Sequence, residues 1–172
     1  MFLDLTDLSL RGGERHEHRC SIDVAPVVLG GVCYQALLPE GATVTVDRVA
    51  GGFLVGVSME ARVYGPCARC LDEVVLEIHA EEQEFAATAK DGWQETDLSA
   101  FIKDLVVDVS GLVREALVLA LPAQLVCAES CKGLCAQCGK DLNVGECGCD
   151  SGGCDVRWEK LNDLRLKNDV GS

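Results

Sequence analysis

The stretch from Cys127 to Cys154 reads CAESCKGLCAQCGKDLNVGECGCDSGGC and contains seven of the eleven cysteines in this chain of 172 residues. Its cysteines are spaced Cys-x3-Cys-x3-Cys-x2-Cys, followed by Cys-x-Cys and one more cysteine. Frequent glycines between them favour tight turns over a packed hydrophobic face. Because the segment has few apolar side chains, we expect it to fold only when its thiols are tied together.

A bound metal explains the clustered thiols better than disulfides do. The chain starts with MFLD, which lacks the basic start and apolar run of a secretory leader. We therefore expect a cytoplasmic protein, where disulfides do not persist and clustered thiols hold zinc. The competing interpretation is a set of reduced structural cysteines. Four thiolates of the stretch can serve one tetrahedral zinc ion: Cys135, Cys138, Cys147 and Cys149.

A second pair of cysteines, Cys67 and Cys70, lies between two predicted strands. A Cys-x2-Cys pair at a hairpin tip commonly supplies half of a zinc site, whereas a redox pair leads into the helix of a βαβ unit. Because a strand follows this pair, we favour metal binding over redox chemistry.

Cys127 and Cys131 are four residues apart and would share one face of a helical turn. Two arrangements are open for them. In the first, they meet Cys67 and Cys70 across the fold and form a second tetrahedral site. In the second, they bind one ion together with the next two cysteines of the string, and the other cysteines stay free.

The composition predicts a globular, strongly acidic protein. Hydrophobic residues make up 48% of the chain, and its apolar runs are too short for a membrane span, which needs about 18 residues or more. Each zinc ion held by four thiolates adds two positive and four negative charges, so two such sites would change the formal charge from −13 to −17. An acidic surface repels nucleic-acid phosphates. We therefore expect a basic protein partner rather than direct RNA binding.

Alternating apolar and polar residues predict an antiparallel sheet or open barrel between residues 14 and 88. The clearest strand has apolar residues at every second position from Phe53 to Val63, with polar residues opposite. Gly51-Gly52 suits a two-residue hairpin turn before this strand, and a partner strand resumes near Val74. Shorter strands are predicted at 14–23, 32–38 and 43–50.

A buried helix is predicted from about 110 to 121, with Ser110 or Asp108 as its N-cap and Pro122 as its stop. Its apolar positions include Leu119 and Ala120. A second helix is predicted to begin near Asp155. The expected fold is α+β, divided into a β-rich body with a buried helix (1–126), a Cys-rich zinc knuckle (127–154) and a C-terminal helix with a tail (155–172).

The remaining cysteines have less definite roles. His16, His18 and Cys20 would share one face of a strand, which permits a metal site but is favoured by ordinary strand patterning. Cys33 lies among apolar neighbours and is expected to be a small buried residue. Cys154 is the odd thiol and can replace Cys149 as a ligand.

Three stretches together resemble one known family, the YceD-like large-ribosomal-RNA accumulation proteins. They are Cys67-Ala68-Arg69-Cys70-Leu71, the run 113–122 and the run 131–143. The segment 155–161 resembles the start of the family's C-terminal helix. The resemblance covers residues 10 to 166, and the long cysteine string is its most specific part.

The resemblance implies a bacterial or plastid protein needed for accumulation of 23S ribosomal RNA, and hence for large-subunit assembly. Family members are often encoded beside a small zinc-bearing ribosomal protein, which suggests a physical partner. Some relatives keep the Cys-x-Arg-Cys pair without the knuckle and carry histidines near the positions of Cys127 and Cys131. The resemblance therefore favours the first arrangement of the thiols.

The function expected from these observations is a non-enzymatic assembly factor for the large ribosomal subunit, stabilised by one or two structural zinc ions. It would act through contacts with a large-subunit ribosomal protein or a pre-ribosomal particle. One alternative is direct binding of 23S rRNA through a local basic patch at Lys132, Lys140 and Arg157. Another is a zinc-dependent RNA-processing enzyme, which would need an open ligand position on the metal.

Overall fold

A computed structural model describes residues 1–88 and 99–149, which fall in two compact units. The first unit is Met1–Cys131, and the second is Lys132–Ser172, of which 132–149 are described. The sequence-based division at 126 and 154 remains a prediction. The sequence Lys90-Asp91-Gly92 also predicts a loop. This loop lies outside the described residues, as do Cys154, Arg157 and the predicted C-terminal helix.

The described residues of the first unit are mostly antiparallel strand with one α-helix, which confirms the predicted α+β class. A 3-10 helix (Leu5–Leu8) follows the first strand. The strands are β1 (Phe2–Asp4), β2 (Arg15–Cys20), β3 (Val27–Leu29), β4 (Val32–Leu37), β5 (Ala42–Val49), β6 (Gly52–Pro66), β7 (Glu73–Ala87), β8 (Ile102–Lys103) and β9 (Val106–Asp108), and the helix is α1 (Val109–Ala120).

The long strand β6 is the centre of the main sheet. Strand β7 pairs with β6 along its whole length on one side. On the other side, β5 pairs with the first half of β6 and β4 with its second half, while β2 and β3 extend the sheet beyond them. The short strands β1, β9 and β8 form a separate three-stranded sheet.

The alternation of β6 is the reason that this strand has one buried face. Its apolar residues at odd positions from Phe53 to Val63 are buried, whereas Glu60 and Arg62 on the opposite face are exposed. Val55 and Val57 belong to the same hydrophobic cluster as Val113 of α1. Burial of this face against the helix therefore forms the core of the first unit.

The turn before β6 differs by one residue from the prediction. Ala50 and Gly51 form the two-residue turn, with Gly51 at a φ of +82°, and Gly52 is already paired with Val49 as the first residue of β6. Gly52 is required for a different reason, since a Cβ atom there would collide with the carbonyl oxygen of Ala86.

Helix α1 begins as predicted, because the Asp108 side chain accepts a hydrogen bond from the Gly111 N–H at 3.1 Å and caps its first turn. The prediction that Leu119 and Ala120 are buried is wrong. Leu119 is 64% exposed, although it lies on the same apolar stripe as Leu112 and Ala116. The apolar stripe is buried at Leu112 and Ala116 in the first turns of the helix, but it is exposed at Leu119 in the last turn.

The expected burial of Cys33 is also wrong. Strand β4 directs Tyr34 and Ala36 to the core, so Cys33 lies on the outer face, where its cross-strand neighbour Val28 is exposed too. Cys20 is buried, with its Sγ atom 3.6 Å from the carbonyl oxygen of Ala42. In the described ranges, no helix is long and apolar enough to cross a membrane.

Candidate metal centres

Eight cysteines form two groups of four, and within each group all sulfur atoms lie within 4.8 Å of one another. The first group, called here the hairpin centre, is Cys67, Cys70, Cys127 and Cys131. The second, called the knuckle centre, is Cys135, Cys138, Cys147 and Cys149. Each group is contained in one of the two compact units.

The spacing of the sulfurs in the hairpin centre suits a tetrahedral metal ion. The Sγ atoms of Cys67 and Cys131 are 3.9 Å apart, and those of Cys70 and Cys127 are 3.5 Å apart. Four sulfurs held tetrahedrally about 2.3 Å from one ion lie about 3.8 Å from each other, whereas a disulfide needs about 2.05 Å. The group is therefore positioned to bind a metal ion, and none of its cysteines forms a disulfide.

The hairpin between β6 and β7 supplies two of these thiols from a tight backbone turn. The Cys67 N–H donates to the Asp72 carbonyl at 2.7 Å, and the Leu71 N–H donates to the Cys67 carbonyl at 3.1 Å. The Ala68 N–H donates to the carbonyl of the buried Leu125 at 2.7 Å, which joins the hairpin to the segment after α1. That segment carries the other two cysteines of the centre.

Arg69 joins the two halves of the hairpin centre a second time. Its Nη1 atom donates to the carbonyl oxygens of Glu129 at 3.1 Å and Cys131 at 2.9 Å. Arg69 lies in the turn that carries Cys67 and Cys70, and it holds the backbone of the segment that carries Cys131. The sequence alone does not predict this role, because Arg69 stands there only as a spacer between two cysteines.

Removing Arg69 should weaken the hairpin centre alone. We expect Arg69→Ala to lower its metal affinity by about 10- to 100-fold, the usual effect of losing a group that orients metal ligands. Competition with a chromogenic chelator measures this. Arg62→Ala is the matched control, because Arg62 makes an exposed ion pair with Glu77 away from the thiols. Equal losses at both centres would contradict the assignment.

Backbone N–H groups prepare one thiol of the hairpin centre for ionisation. Burial disfavours the Cys67 thiolate, but the N–H groups of Cys70, Arg69 and Cys127 outweigh burial and lower the pKa of Cys67 to about 6. The Asp72 N–H favours the Cys70 thiolate, yet burial and the neighbouring thiols together raise the pKa of Cys70. A metal ion would displace the remaining protons, so its binding should release protons.

The knuckle centre repeats this arrangement in the second unit. The N–H groups of Cys138 and Gln137, followed by neighbouring thiols, lower the pKa of Cys135 to about 6. The thiols of Cys138 and Cys147 raise the pKa of Cys149 to about 12. This centre is therefore also positioned to bind a metal ion once its thiols are deprotonated.

The two Cys-x2-Cys turns have the same backbone hydrogen bonds. In the knuckle centre, the Cys135 N–H donates to the Lys140 carbonyl and the Gly139 N–H to the Cys135 carbonyl, both at 2.8 Å. The residue after the second cysteine has a positive φ in both turns, +73° at Gly139 and +67° at Leu71. Glycine adopts this conformation freely, whereas leucine there costs on the order of 1 kcal/mol.

The sequence-based candidates are thus placed as follows. All eight predicted ligands lie in the two groups, with the grouping of the first arrangement. Within the part of the chain that the structure describes, Cys20, Cys33 and the histidines at 16 and 18 join neither group. The role of the eight cysteines as metal ligands remains a prediction. The identity of the metal is a prediction too.

The fold and these groups define a β-rich protein with two four-cysteine sites positioned for metal ions. The sequence identifies the family as well. The family model described as large ribosomal RNA subunit accumulation protein YceD matches residues 55–165. This range contains all eight cysteines of the two centres. The chain belongs to the YceD family.

Two mycobacterial proteins are also similar to this chain. An uncharacterized protein of Mycobacterium tuberculosis is 34% identical over 122 residues, which cover 69% of this chain and 58% of that protein. An uncharacterized protein of Mycobacterium leprae is 29% identical over 129 residues, or 73% of this chain and 59% of that protein. The chain thus spans less than two thirds of the length of these relatives.

A plant protein whose name includes YCED is also similar to part of this chain. The chloroplastic large ribosomal RNA subunit accumulation protein YCED homolog 1 of Arabidopsis thaliana is 32% identical over 59 residues, covering 34% of this chain and 18% of that protein. No solved structure matches the chain significantly.

Proposed function

We propose that this protein is a non-enzymatic factor in biogenesis of the large ribosomal subunit, that it is required for accumulation of 23S rRNA, and that structural zinc stabilises it. The observation that carries the proposal is the family match over residues 55–165, since the family is named for accumulation of the large ribosomal RNA. The shorter similarity to the chloroplastic YCED homolog supports the same role.

Zinc fits the donor sets of both centres. Thiolate ligands select zinc or iron–sulfur chemistry over hard cations such as magnesium, and a single tetrahedral four-sulfur site is typical of zinc. Four protein thiolates complete the coordination of a zinc ion and leave no position for water or substrate. The donor sets therefore support a structural role for the metal over a catalytic one.

The charge of the protein supports action through protein contacts. The formal charge is −13, and β7 contains five glutamates but no lysine or arginine. Such a surface accelerates encounter with cationic proteins and repels the phosphates of naked rRNA. A basic large-subunit ribosomal protein, alone or within a pre-ribosomal particle in the cytoplasm, is the partner that this charge favours.

Depleting the protein from its own cells tests the proposed function. We expect the ratio of 23S to 16S rRNA to fall, and an intact copy of the gene to restore it. A copy that carries both Cys70→Ser and Cys138→Ser should fail to restore it, because both centres are lost. Cys33→Ser is the control, since this exposed thiol joins neither group among the described residues. An unchanged rRNA ratio on depletion would refute the proposal.

A further inference from the structure

Leu71 occupies a backbone position for which glycine is the natural residue. Its φ of +67° is strained for a leucine, and Gly139 takes the equivalent position of the knuckle centre at +73°. Both turns keep the same two backbone hydrogen bonds. The geometry of the turn therefore does not need a leucine, which adopts it only at a conformational cost.

Packing among the described residues does not account for Leu71. Leu105 also has a positive φ, of +65°, but its side chain packs against the hydrophobic core. In contrast, Leu71 belongs to neither hydrophobic cluster of the described residues, and it is 61% exposed. A large apolar side chain that is both strained and exposed indicates a contact made outside the chain.

The surroundings of Leu71 indicate the kind of partner. Asp72 and Glu73 follow it directly and are exposed. Val75 lies further along β7, is 59% exposed, and is paired across the strands with the half-buried Tyr64. We call Leu71, Asp72, Glu73 and Val75 the tip surface. It combines two exposed apolar side chains with two carboxylates.

We propose that the tip surface is the docking site for a cationic protein segment that inserts an aliphatic or aromatic side chain against Leu71. This inference rests on the proposed action through protein contacts. The carboxylates at 72 and 73, together with the glutamates of β7, attract lysine and arginine around an apolar contact. The hairpin centre holds the tip in place before the partner arrives, which lowers the entropy cost of binding.

The negative charge of the protein favours a cationic protein segment over a second copy of the chain, RNA or an anionic membrane. A second copy of the chain also has a formal charge of −13, so two tips would repel each other. RNA and an anionic membrane would present phosphates to the same carboxylates. The occupant is therefore a basic protein segment.

The test measures binding of the zinc-loaded full-length protein to a defined cationic mixture, the proteins extracted by high salt from purified large ribosomal subunits. Each bound component is identified and its affinity determined separately. The variant is Leu71→Asn, because asparagine tolerates a positive φ and keeps the turn. Leu119→Gln is the matched control, since Leu119 is 64% exposed on α1. Zinc content and thermal midpoint are measured for both variants.

We expect Leu71→Asn to weaken binding of the preferred component by at least about tenfold, or about 1.4 kcal/mol, while Leu119→Gln leaves it unchanged. Leu71→Asn should keep its zinc and melt no lower than the natural protein, because the strain is relieved. Glu73→Gln should weaken binding more at low salt than at high salt.

Two outcomes would overturn the inference. If the natural protein and Leu71→Asn bind the same component equally, the tip surface is not the docking site, although action through protein contacts would stand. If the natural protein binds no component, the docking site and the protein-contact mechanism both fail. The rRNA ratio after depletion would still decide the role in rRNA accumulation independently.

Discussion

Replacing Cys70 with serine should remove one of two zinc ions and open the hairpin between β6 and β7. Serine is a poor ligand for zinc, so the hairpin centre would be left with three thiolates, of which Cys67 and Cys131 are buried. Structural zinc contributes on the order of 10 kcal/mol to the folding of small domains. The expected loss of stability therefore exceeds that of a typical core truncation, which is about 2–5 kcal/mol.

Metal analysis and limited proteolysis measure this result. Cys70→Ser should contain about one zinc ion fewer than the natural protein and be cleaved at the hairpin tip, because the contacts of the tip with Leu125 and Glu129 depend on the centre. Cys33→Ser should match the natural protein in both respects. Loss of both ions, or of neither, would contradict the separation of the two centres.

The second large effect is expected at the knuckle centre. Residues 132–149 contain almost no buried side chains, and their fold is a short bridge between Leu134 and Asp141 with a few backbone hydrogen bonds. With so little apolar surface, the segment cannot offset the entropy of an ordered chain without a metal ion. We therefore expect Cys138→Ser to unfold it completely.

Amide hydrogen exchange distinguishes this local effect from a global one. In Cys138→Ser, amides of residues 132–149 should lose protection, while those of β5 and β6 keep it. Ala136→Ser is the matched control, since it adds a hydroxyl group in the same turn and leaves all four thiols. Loss of protection in the sheet would mean that the knuckle centre also supports the first unit.

Local patterns were sufficient to predict the longer strands and the helix, but not the short strands β1, β3, β8 and β9. The alternation from Phe53 to Val63 predicted a strand with one buried face, because successive side chains of a strand point to opposite sides. Asp108 and Pro122 predicted the limits of α1, because capping and the lack of a proline N–H act within a few residues. The spacing of the cysteines likewise predicted which thiols were candidates for metal binding.

Burial at particular positions depended on tertiary packing. The outer position of Cys33 and the exposed Leu119 at the end of α1 could not be predicted, because the same apolar pattern can be covered or uncovered. That Ala50 and Gly51 form the turn, instead of Gly51 and Gly52, likewise depended on the pairing of Gly52 with Val49 and Ala87.

The grouping of the thiols was decided by the tertiary structure as well. Spacing alone left Cys127 and Cys131 with two possible sets of partners, because ligand identity sets the chemistry of a site but not which distant pairs meet. Cys70 and Cys127 are separated by 57 positions, and their sulfurs come within 3.5 Å only because the β6–β7 hairpin and the segment after α1 bind each other through Ala68 and Arg69. Such contacts between distant segments depend on the packing of the whole unit, which no local pattern of residues contains.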